Sequence, residues 1–131
     1  MKKYLLAAFL FLSVATIQAQ EKKDVQISIE SVSKKWVFFD LINPKLSKEE
    51  YTENKEMLAE TTIEFRKDMT FTFSFVVDLE GTWKLENNII STSDRRGERK
   101  GENTWTIYKI TEKEITMSRN DSEQKVIFKA N

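Results

Sequence analysis

The stretch Met69-Thr70-Phe71-Thr72-Phe73-Ser74-Phe75 decides the fold class. Large apolar and small hydroxyl side chains alternate with a period of two, which puts Met69, Phe71, Phe73 and Phe75 on one face of a β-strand. On a helix the same residues would scatter around the axis. The alternation recurs in Ile63 with Phe65, Trp83 with Leu85, Trp105 with Ile107, Ile115 with Met117, and Val126 with Phe128. Turn-forming pairs separate these runs, as in Lys67-Asp68, Asn87-Asn88 and Glu112-Lys113. The spacing predicts strands near 34–42, 61–66, 69–77, 81–86, 89–93, 103–111, 114–119 and 123–129. Val25, Ile27 and Ile29 also alternate, so a short extra strand is expected before the first of these.

One segment departs from the pattern. From Leu46 to Ala59 the chain is acidic and helix-favouring, with Ser47 and Glu50 spaced as a capping box and Leu46 and Tyr51 as a hydrophobic staple. Its apolar stripe of Tyr51, Met57 and Leu58 is narrow, so this helix should lie against the sheet rather than be buried in it.

Successive strands with short connections are antiparallel neighbours, and closing eight of them removes the exposed edges that invite aggregation. The expected architecture is all-β: an eight-stranded antiparallel up-and-down barrel with one short helix between strands 1 and 2. In such a meander, alternate connections share an end. The short turns at 67–68, 87–88 and 112–113 therefore form a floor, while the helix and an Asp94-to-Glu102 loop belong to the opposite mouth. Depth counted along the strands puts Phe75, Trp83, Trp105 and Arg119 near that mouth, with Asp40 there too if it shares the inward parity of Trp36 and Phe38. Strand 1 is apolar on both faces, which calls for the helix or the N-terminal segment to cover one of them.

Composition narrows the chemistry. The 131 residues hold 21 basic and 21 acidic side chains, no His and no Cys. A Ser-His-Asp triad, a thiolate nucleophile, a disulfide and a zinc site with the usual nitrogen and sulfur ligands are therefore excluded. No carboxylate pair has spacing that sets it apart from surface charge, so the chain is read as a non-enzyme without a cofactor or metal. Balanced charge gives no footprint for nucleic acid.

Met1-Lys2-Lys3, the apolar run Tyr4 to Leu12 and a small residue at Ala19 follow the three-part pattern of a secretory signal. The apolar run is too short to span a bilayer. The expected organisation is a signal at 1–19 and one barrel domain at 20–131, exported to the periplasm or beyond. The mature chain then carries 19 basic and 21 acidic residues and must rely on its core alone.

Trp36, Thr62-Ile63-Glu64-Phe65, Gly81-Thr82-Trp83-Lys84-Leu85 and Trp105-Thr106-Ile107 leading into Ile115-Thr116-Met117, together with the 69–73 run, resemble the lipocalin-like domains of small exported proteins from Gram-negative bacteria. The resemblance covers roughly residues 32 to 129 and implies an eight-stranded barrel that binds a small apolar ligand. Lys34-Lys35-Trp36 replaces the Gly-x-Trp that opens a typical lipocalin, and no helix follows the last strand.

Two functional readings follow. In the first, a small apolar or amphipathic molecule enters at the helix-bearing end, lined by Phe38, Phe75, Trp83, Trp105 and Ile107, with Asp40 and Arg119 as anchors for a polar head. In the second, side chains fill the barrel solidly and its mouth loops contact an envelope protein or a glycan, since eight strands enclose little more room than side chains need. The same aromatics serve either reading.

Overall fold

The computed structural model describes residues 23–96 and 98–131. The segment read as a signal peptide, 1–19, lies outside them. Eight strands, β1 (Lys35–Ile42), β2 (Thr62–Phe65), β3 (Thr70–Phe75), β4 (Val77–Glu86), β5 (Ile89–Arg96), β6 (Arg99–Ile110), β7 (Glu114–Arg119) and β8 (Lys125–Ala130), form a closed barrel in sequence order. Every neighbouring pair is antiparallel, and β1 pairs with β8 to close the ring. This is the up-and-down barrel that the sequence predicts. A short helix α1 (Ile29–Val32) precedes β1, and α2 (Lys48–Leu58) joins β1 to β2.

Helix α2 starts where its capping box places it. Ser47 Oγ accepts from the Glu50 N–H at 3.1 Å, and Glu50 Oε1 accepts from the Ser47 N–H at 3.1 Å. Leu46, Tyr51 and Leu58 pack against the core while no residue of the helix is fully buried, as its narrow stripe requires.

Three of the central strands are longer than predicted. β3 and β4 pair as far as Phe75 with Val77, so a single residue, Val76, makes the turn. Residues 78–80 are strand. The Asp94-to-Glu102 stretch, expected as a loop, is a hairpin with Arg96 opposite Arg99. Charged side chains on these strand faces mask the alternation, which is why the stretch reads as loop.

The extra N-terminal strand reduces to one bridge, Asp24 with Thr111, supported by the Val25 N–H donating to the Ile110 carbonyl at 3.0 Å. Ser28 and Ser31 then cap α1 reciprocally, and the chain turns inward. Val32 is fully buried, and its carbonyl accepts from Trp36 Nε1 at 2.9 Å. Residues 24–32 thus run along the floor end, and among the described residues Phe39 on the outer face of β1 is half-exposed, with the Lys129 ammonium 3.6 Å from its ring centroid.

Candidate functional site

Inward-facing aromatics gather at two levels. Near the floor, Phe65 packs on Trp83 with ring centroids 5.1 Å apart and on Phe71 at 6.4 Å. Toward the mouth, Phe38, Phe128, Trp105 and Phe73 follow one another at 6.4, 6.3 and 5.9 Å. A cavity of about 160 Å³ opens above this second chain of rings, bounded by Phe38, Phe73, Phe75, Trp105, Val126 and Phe128 from the strands, Leu58 from α2, and Thr61, Arg119, Ser122 and Gln124 at its polar edge.

Of the residues expected to line a site, Phe38, Phe75, Trp105 and Arg119 meet in this cavity. Trp83 does not. Because β4 begins at Val77, Trp83 lies seven residues along a strand that descends from the mouth, and its Nε1 donates to the Arg66 carbonyl in the floor turn at 2.9 Å. Ile107 is buried below Trp105, opposite Met117, and does not reach the cavity. Met69 has left the strand altogether: it occupies the β2–β3 floor turn with φ of 69°.

Asp40 faces outward. The pairing with β8 slips at Phe39, since Phe38 opposes Phe128 but Asp40 opposes Ile127. Such a bulge reverses parity beyond it, so Leu41 points in and Asp40 out. Asp40 there accepts from the Tyr51 hydroxyl at 2.5 Å and the Leu41 N–H at 2.8 Å, with Lys55 Nζ at 3.7 Å. The Tyr51 hydroxyl above all holds its carboxyl below the usual carboxylate range, aided by the Leu41 N–H and by Lys55 against partial burial. Asp40 is thus a latch for α2 on the outer wall, and the last turn of the same helix carries Leu58 over the cavity.

Arg119 is the charged residue whose inward parity holds. Its guanidinium lies 5.1 Å from the Phe73 ring centroid and 5.6 Å from that of Trp105. Beyond it, Arg119 and Asp94 share the lining of a second space of about 10 Å³ with Thr92 and Asn103, room for about one water. Asp94 is 3% exposed. A Cβ at its cross-strand partner Gly101 would sit 2.6 Å from Asp94 Oδ1, so the carboxylate occupies the room that glycine leaves.

Leu58, Val126, Phe128 and Asp94 were absent from the sequence-derived site. Val126 and Phe128 carried a legible signal, since they alternate on a strand that descends from the mouth. Asp94 shares its parity with Ile90 and Thr92 on β5, which runs past the predicted limit at residue 93 to Arg96.

No family model matches the chain, and no curated protein matches it. Solved structures do. An uncharacterized protein from Bacteroides eggerthii superposes with a TM-score of 0.54 at 14% identity, covering 76% of this chain and 99% of that one. A DUF4847 family protein from Bacteroides vulgatus superposes with a TM-score of 0.53 at 15% identity, covering 76% of this chain and 94% of that one. At these identities the likeness is one of fold.

Proposed function

We propose that the protein is a non-enzymatic, exported, lipocalin-like carrier of a small amphipathic molecule, bound at the helix-bearing end of the barrel. The observation that carries this reading is the cavity of about 160 Å³ beneath Leu58, apolar on its walls and bordered by Arg119, Ser122 and Gln124. A dry cavity of about 150 Å³ accepts benzene, so the apolar part of the ligand is the size of one aromatic ring or a short alkyl chain. The Arg119 guanidinium reaches the cavity edge while sharing its inner space with the buried Asp94, and its five donors let it take a carboxylate from the cavity side as well, matching it in shape and charge. The ligand class is therefore a short aliphatic or aromatic carboxylate, with hexanoate and benzoate as probes.

The test pairs hexanoate with hexanol. Arg119→Leu should weaken hexanoate binding at least tenfold while changing hexanol binding little. Equal losses for acid and alcohol would refute the anchor, and no saturable binding of either would refute the carrier.

A further inference from the structure

Thr61, Thr92, Thr111 and Ser118 are the buried hydroxyl residues among those described, and three of the four have a partner. Thr92 Oγ1 donates to the Asn103 carbonyl at 3.3 Å, Thr111 Oγ1 accepts from the Glu114 N–H at 3.1 Å, and Ser118 Oγ shares a hydrogen bond with the Tyr108 hydroxyl at 3.0 Å. Thr61 is the exception. It is 3% exposed, and its Oγ1 has no hydrogen-bond partner among the described residues. A hydroxyl buried in this way gives up its water and receives nothing in return, so the position calls for a reason.

The backbone of Thr61 is held on both sides. Its N–H donates to the Leu58 carbonyl at 2.9 Å and its carbonyl accepts from the Phe38 N–H at 2.9 Å, which clamps the residue between the end of α2 and β1. It shares the inward parity of Ile63 and Phe65, and its side chain lines the mouth cavity. Other polar groups of that lining are engaged: Ser122 Oγ accepts from the Gln124 N–H at 3.1 Å, and Gln124 Oε1 accepts from the Asn43 amide at 3.3 Å. Thr61 leads into β2 and Arg119 ends β7, so β1 and β8 stand between them around the ring. Phe38 and Phe128 on those two strands supply the apolar wall that separates the two polar positions.

We infer that Thr61 selects a ligand with a second polar group remote from its carboxylate: a short hydroxy acid whose acid end meets Arg119 and whose hydroxyl meets Thr61. Resting on the carrier reading, this narrows its ligand class. A threonine hydroxyl both donates and accepts, as an alcohol does, and a buried group that needs a partner discriminates against the analogue lacking one. An unsubstituted acid leaves Thr61 unpaired, and a hydroxyl beside the carboxylate stays at the Arg119 edge.

The experiment is calorimetric titration of the full purified protein with hexanoate, 6-hydroxyhexanoate and 2-hydroxyhexanoate, alongside thermal melting without ligand. The parent should bind 6-hydroxyhexanoate about tenfold more tightly than hexanoate, and 2-hydroxyhexanoate should show no such gain. Thr61→Val keeps the shape and removes the hydroxyl, so it should bind 6-hydroxyhexanoate no better than hexanoate, whereas Thr61→Ser should keep the preference. Without ligand, Thr61→Val should melt at or above the temperature of the parent, because a methyl group replaces an unpaired hydroxyl. A lower melting temperature would mean that the hydroxyl is bonded within the fold and would overturn the selection. An equal gain for 2-hydroxyhexanoate, or a preference that survives Thr61→Val, would overturn it too. Hexanoate separates the two readings: saturable binding of hexanoate with no preference for 6-hydroxyhexanoate overturns selection by Thr61 alone, and no saturable binding of any of the three acids overturns the carrier and the selection with it.

Discussion

The floor and the mouth of this barrel draw on the same residue types and use them to opposite ends. At the floor, Trp36 and Trp83 are buried and each spends its indole N–H on a backbone carbonyl, of Val32 and of Arg66. Helix α1 and the floor turns close that end. At the mouth, Phe38, Phe73, Trp105 and Phe128 line a space that their side chains leave unfilled, and the element above them is a helix held from outside. The comparison teaches that inward aromatic alternation specifies a barrel but does not say whether its interior is filled. What distinguishes the two ends is the backbone around the rings: short turns and a plug below, a helix latched through Asp40 and Tyr51 above.

Breaking the floor should have the largest effect. Trp83→Ala removes a buried ring and its hydrogen bond, and should cost about 4 kcal/mol in chemical denaturation, with hexanoate affinity of the folded fraction unchanged. Between the two ends, Gly81 admits no side chain, because a Cβ there would lie 1.9 Å from the Ser93 carbonyl oxygen. Gly81→Ala should cost about 3 kcal/mol through forced separation of β4 and β5, measured in the same way. A cost near zero for either would mean that the strands are less tightly packed than described.

Filling the mouth sharpens the contrast. Leu58→Trp places a large ring in the cavity and should abolish hexanoate binding while shifting stability by no more than about 1 kcal/mol. Retained binding in calorimetry would locate the ligand elsewhere. The smallest effect belongs to the latch. Asp40→Asn should cost about 1 kcal/mol at neutral pH, and a double-mutant cycle with Tyr51→Phe should show the two residues coupled. Because the folded Asp40 carboxyl is held below its ordinary value, its contribution is present above about pH 3.9 and fades as pH falls through the lower folded value. The stability difference between parent and Asp40→Asn should therefore disappear in acid, and a constant difference would assign the latch to shape rather than charge.

The barrel, its closure order and the helix were legible because each rests on a local signal: alternation in 69–75, a capping box at Ser47 and Glu50, asparagines at 87–88. The site was legible only where depth and parity could be counted without interruption. Phe75 and Arg119 lie on strands that begin or end near their predicted limits, and both reach the cavity. Trp83 was misplaced because Val77-Asp78-Leu79-Glu80 does not advertise a strand, which shortened β4 and raised Trp83 toward the mouth. Asp40 was turned the wrong way by a bulge at Phe39, a feature that depends on the partner strand β8 and leaves no mark in strand 1 itself. Asp94 was lost to a loop that its charged neighbours suggested.

The three tryptophans make the central claim directly measurable, since Trp36 and Trp83 report on the floor and Trp105 on the mouth. Protein labelled with 5-fluorotryptophan should give three fluorine resonances, and titration with hexanoate should move that of Trp105 saturably while leaving the other two in place. A response confined to Trp83 or Trp36, or none at all up to the solubility limit of the probe, would contradict an open mouth above a sealed floor.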